Sequence, residues 1–87
     1  MATRARGIPK TVHSPEQAAF CDLLIRARKK ARLTQRQLAD RLGKPQSFVA
    51  KYEGGERRLD VIEFVAIVLA IGDDPARLLR AFLKKVA

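Results

Sequence analysis

Residues 34–55 constrain the fold more than any other stretch, because they write two short helices around a tight turn. In the first, at about residues 35–42, Leu38, Ala39 and Leu42 form one apolar face, while Gln35, Arg36, Asp40 and Arg41 form a wet one. Ala39 is small enough to let a second backbone approach where two helices cross. Gly43 follows the last apolar residue, where a chain leaving a helix needs the left-handed conformation that glycine takes without strain. The exit is sharp, so the next helix crosses the first steeply. In that helix, at about residues 45–53, the spacing of three and four puts Phe48, Val49 and Tyr52 on one side. Gln46, Ser47, Ala50 and Lys51 fall on the other.

Thr34-Gln35, Leu38-Ala39, Gly43, Gln46-Ser47, Val49, Glu53 and Gly55 carry a resemblance that runs from Leu24 through Leu79. Over that span the chain resembles the phage-repressor and Xre-like family of helix-turn-helix transcriptional regulators. The resemblance implies an all-α, compact five-helix bundle of the lambda-repressor-like DNA-binding type, prokaryotic or phage-encoded, with no cofactor. It also implies two-fold dimers on pseudo-palindromic operators, with recognition helices entering major grooves about 34 Å apart. The chain departs from the commonest family pattern at Pro45, where many members carry a capping hydroxyl.

Charge distribution agrees with a polyanionic partner. The chain of 87 residues carries a net +9. Residues 1–58 hold 14 Lys and Arg against 5 Asp and Glu, and residues 59–87 hold 4 against 4. The positive field sits on the half with the paired helices, where it speeds encounter with DNA. A solvated surface is the plainer reading of the same charges. The length suits one domain, and 47% apolar content suffices for a helical bundle.

Other chemistries find little support. The single cysteine, Cys21, reads as a small buried hydrophobe beside Phe20 and Leu24. The single histidine, His13, has no nucleophile or carboxylate set around it, so no metal site and no enzyme is expected. The longest apolar run, Phe64 to Ile71, is far too short to span a membrane, and a cytoplasmic protein without an export signal is expected.

Helix boundaries are well marked along the chain. Residues 1–13 contain Arg4, Arg6, Gly7, Pro9 and Lys10 and read as a flexible basic arm, either embracing DNA or without a role. The DNA-binding domain is expected over residues 14–87. Ser14-Pro15-Glu16-Gln17 opens a helix with a capping box, and Phe20, Leu23, Leu24, Ala27 and Ala31 form its buried stripe. Thr34 with Gln37, and Asp60 with Glu63, repeat the capping pattern. The helix from Asp60 to Gly72 is almost wholly apolar, which predicts that it is surrounded on all sides. Asp74-Pro75 opens the last helix, about residues 75–86, with a stripe of Leu78, Leu79, Phe82, Leu83 and Val86 and with Lys84 and Lys85 at its negative end. That stripe is wide. Part of it covers the chain's own core, and the rest is expected to meet a second copy, although core packing explains the same residues.

The resemblance and the chemistry of the side chains assign roles. Gln46 pairs through two hydrogen bonds with an adenine edge, with Ser47 beside it, and Lys51 one turn on reaches either a guanine or a phosphate. Gln35 at a helix start, Lys44 before the reading helix, and Arg57 and Arg58 after it are expected on the DNA backbone. Ala39, Gly43 and Val49 are structural, and Arg28 with Glu53 matches a family ion pair that orients the reading helix. Phe48 packs in preference to meeting a thymine methyl. The function expected is a sequence-specific double-stranded DNA-binding transcriptional regulator, a repressor acting as a homodimer. The alternatives are the antitoxin of a toxin–antitoxin pair, with a toxin as protein partner, and a helical protein-interaction module without DNA binding.

Overall fold

The computed structural model describes residues 14–86. The expected basic arm, residues 1–13 with His13, lies outside the described residues, as does Ala87. Five helices follow in order: α1 Pro15–Lys30, α2 Gln35–Leu42, α3 Gln46–Glu53, α4 Val61–Ile71 and α5 Pro75–Val86. No strand occurs among the described residues, so the architecture is the all-α five-helix bundle.

Local chemistry starts and stops these helices. Thr34 Oγ1 accepts the Gln37 N–H at 3.0 Å and Gln37 Oε1 accepts the Thr34 N–H at 2.9 Å, closing a reciprocal cap on α2. Asp60 and Glu63 do the same for α4, at 2.7 and 2.9 Å. At the end of α2, Gly43 takes φ 66°. The Gly43 and Lys44 N–H groups return to the carbonyls of Asp40 and Ala39, so the chain reverses without orphaned carbonyls. After α1 the same left-handed position is held by Arg32, at φ 61°, a conformation that disfavours a side chain.

The core gathers Leu24 and Ala27 of α1, Leu38 and Ala39 of α2, Val49 and Tyr52 of α3, Phe64, Ile67, Val68 and Ile71 of α4, and Leu78 of α5. Phe20 joins α1 to both C-terminal helices, with its ring centroid 5.5 Å from Phe64 and 5.5 Å from Phe82. Cys21 is buried, and its thiol donates to the Tyr52 carbonyl at 3.1 Å. Burial raises that thiol's pKa. The Tyr52 hydroxyl is buried with no hydrogen-bond partner among the described residues. Burial first, and the Glu53 charge next, hold its phenol far above the usual range.

Three sequence expectations need correction. α4 is not surrounded: Val61, Ile62 and Leu69 are largely exposed, because the bundle has too few elements to cover the face turned away from α1 and α2. Ala31 is exposed, since α1 ends at Lys30 and its stripe stops there. Ser14 accepts the Gln17 N–H at 3.1 Å, but the Gln17 amide turns to the Cys21 sulfur at 3.7 Å instead of closing the box. Apart from these, the reading helix spans Gln46–Glu53, and Pro45, which has no capping hydroxyl, stands in its cap position with no side-chain hydrogen bond.

Candidate nucleic-acid interface

The α2–α3 pair is fixed by a relay of polar side chains. Arg28 reaches from α1 to Glu53 at the end of α3, Nε to Oε2 at 2.7 Å and Nη2 to Oε1 at 3.0 Å. Arg28 Nη1 also donates to the Leu33 carbonyl at 2.8 Å, tying the loop that leads into α2. Both partners of this ion pair are buried, and Glu53 raises the Arg28 pKa further above its already high value. Glu53 Oε1 accepts a second bond, from the Gln35 amide at 2.9 Å. Gln35 Oε1 then accepts from the Gln46 amide at 3.3 Å. The chain of contacts runs from α1 through the C-terminus of α3 to the N-terminus of α2, and ends on the first residue of the reading helix.

Burial sorts the faces of α3 as its spacing predicts. Val49 and Tyr52 are buried, Phe48 is half-buried, and Gln46, Ser47 and Lys51 are exposed. Phe48 packs edge-on against Tyr52 with centroids 5.6 Å apart, and it shares a small cleft with Leu42, Ala66 and Ile67. Ala39 and Val49 are buried at the α2–α3 contact.

The expected phosphate contacts occupy unequal positions. Lys44 is exposed, its Nζ 5.7 Å from the Phe48 ring centre, and Arg58 is exposed. The Gln35 side chain is committed to the relay, which leaves its backbone N–H at the helix start for an anion. Arg57 is engaged by the Glu63 carboxylate, so each shifts the other: the Arg57 guanidinium goes up, and the Glu63 carboxyl is held below its usual range. Lys29, Lys30, Arg32 and Arg36, which sequence reasoning did not single out, are exposed around the turn into α2 and make no ion pair among the described residues. Their signal was present as a run of cations flanking Thr34. The Gln35–Glu53 and Arg57–Glu63 contacts had no such signal, because each depends on tertiary placement. No cluster of three or more potential metal ligands occurs among the described residues, and none of the described helices is long and apolar enough to cross a membrane.

Comparison with known proteins agrees with this geometry. A family model described as helix-turn-helix matches residues 24–74. A solved structure, an XRE-family like protein from Pseudomonas syringae pv. tomato str. DC3000, is similar with a TM-score of 0.80 and 49% sequence identity, over 87% of this chain and 93% of that one. A search of curated proteins finds no match. With α2, the Gly43 turn and α3 in place and the match spanning all three, the chain belongs to the Xre-like helix-turn-helix family, and it is a DNA-binding regulator of the helix-turn-helix type.

Proposed function

We propose that this protein is a sequence-specific repressor that binds a pseudo-palindromic operator as a dimer and acts by occlusion. Gln46, Ser47 and Lys51 read base edges in the major groove, and the Gln35 N–H, Lys44 and Arg58 hold phosphates. One observation carries this reading: the buried Arg28–Glu53 pair, extended through Gln35 to Gln46, pre-orients an exposed amide on the reading helix. The Gln46 carbonyl oxygen and second amide hydrogen remain available for an adenine edge. A side chain oriented before binding loses less conformational entropy on forming a bidentate contact.

The second copy docks on α4 and α5. Ile62, Ala66 and Leu69 share one exposed face of α4, and Leu79 and Leu83 are exposed on α5. Leu78 and Ala81 line the groove between α5 and α1, so helical spacing puts the exposed Leu79 and Leu83 on the other flank of α5. Residues 59–87 carry no net charge, and two copies can approach there without the repulsion that the basic half would impose. Anisotropy of labelled duplexes tests the function: the protein's own upstream region is expected to bind at least about 1000-fold tighter than a scrambled sequence. Gln46→Ala is expected to erase mainly that preference. Equal, weak and steeply salt-dependent binding to both duplexes would rule the reader out.

A further inference from the structure

Arg57, in the loop between α3 and α4, is surrounded by partners within its own chain. Its Nη1 and Nη2 donate to the two carboxylate oxygens of Glu63 at 3.0 and 2.8 Å, and Nη1 also donates to the Arg58 carbonyl at 3.0 Å. The guanidinium carbon lies 5.0 Å from the centre of the Phe48 ring. Glu63 is itself held in place, because its Oε1 accepts the N–H of Asp60, whose carboxylate caps α4. One planar group therefore joins the first turn of α4 to the flank of α3, two helices whose backbones make little direct approach.

We propose that Arg57 is a positioning residue, a guanidinium latch that sets the tilt of α3 against α4 and so tunes base discrimination, and that it is not a phosphate ligand. The proposal rests on the assignment of α3 as the DNA reader. A latch of this kind needs arginine. Only the planar fork can pair bidentately with Glu63 while lying over the Phe48 ring, whereas a phosphate contact in an exposed loop is served nearly as well by the point charge of lysine.

The two roles separate in anisotropy salt series on the upstream and scrambled duplexes, run for wild type, Arg57→Lys, Arg57→Ala and Glu63→Gln, with thermal melts confirming folding. The latch predicts that Arg57→Lys and Glu63→Gln each lower the preference for the upstream duplex about tenfold, as coupled packing contacts do, while Arg57→Lys, which conserves charge, keeps the salt slope and the scrambled-duplex affinity of wild type. Glu63→Gln is the sharper variant: it keeps a capping acceptor and removes a negative charge, which through the field alone would strengthen binding to any duplex. The latch is overturned if Arg57→Lys binds as wild type while Arg57→Ala weakens both duplexes alike and lowers the salt slope by about 0.9. It is equally overturned if Glu63→Gln leaves the preference for the upstream duplex as in wild type, with both duplexes bound more tightly by the same factor. Should wild type itself show no preference, the reader assignment fails, and the latch is judged on the Phe48 ring resonances. They shift in Arg57→Lys if the guanidinium holds the ring, and unmoved resonances reject it.

Discussion

Around the α2–α3 turn, polar groups fix geometry: a buried ion pair, a shared carboxylate and two amides link three helices in a directional chain. In α4 and α5, polar groups act at the helix ends, and the bodies are held by apolar packing that leaves Val61, Ile62 and Leu69 at 75%, 80% and 61% exposure. Directional bonds specify one arrangement and make it costly to perturb, as a surface that must match base edges requires. Apolar packing is non-directional and leaves surface that a second body can cover. The charge divides in the same place, with the positive excess before residue 59 and none after it.

The strongest attempt to break this contrast is Glu53→Ala. It strands Arg28 in a buried site and releases Gln35, and a loss of about 3–5 kcal/mol is expected in denaturant melts. A loss within the range of ordinary surface substitutions would mean that the directional chain does not hold the reading half. Titration sharpens the same point. Tyr52 and Cys21 keep their protons in the folded chain beyond the pH at which the unfolded chain releases them. Their contribution is therefore complete at neutral pH and declines as pH rises past about 9 for the thiol and about 10 for the phenol. The phenol alone contributes a slope of about 1.4 kcal/mol per pH unit. Tyr52→Phe is expected to flatten that alkaline limb in urea melts at pH 9–11, and a limb of unchanged steepness would discard this origin.

Arg32→Gly relieves a side chain held at positive φ, and a gain of about 1 kcal/mol is expected from the thermal midpoint. An unchanged or lower midpoint would mean that Arg32 makes a contribution that offsets its conformation. The smallest effect on folding belongs to the other region: the pair Ile62→Ser and Leu69→Ser is expected to change monomer stability by no more than about 0.5 kcal/mol per site. The same pair is expected to abolish dimers in sedimentation velocity. A large loss of stability would show that these residues belong to the core after all.

Much of this fold was legible because its signals are local. The capping pairs Thr34–Gln37 and Asp60–Glu63 lie three residues apart, and Gly43 and Gly72 mark helix ends by their own conformational preference. Helical spacing placed Val49 and Tyr52 inside and Gln46, Ser47 and Lys51 outside. Arg28 and Glu53 lie 25 residues apart and were reachable only through resemblance. Placement in space decided the rest. Gln17 had the Ser14 N–H to accept from and the Cys21 sulfur to donate to within one turn, and its amide turned to the sulfur. An all-apolar α4 announces that it resists water, but whether a neighbour covers each face depends on how many helices the chain supplies. Arg57 looked like a loop cation until the fold brought Glu63 and Phe48 to it.

The most direct test of this division is a residue-resolved NMR titration of the full chain with a short duplex from its own upstream region. Amide and side-chain resonances of Gln35, Lys44, Gln46, Ser47 and Lys51 are expected to shift together and saturate at one concentration, while those of Ile62, Leu69, Leu79 and Leu83 follow protein concentration and not added DNA. Shifts centred on the outer face of α4 and α5, with Gln46 and Ser47 unmoved, would contradict the assignment of α3 as the reader.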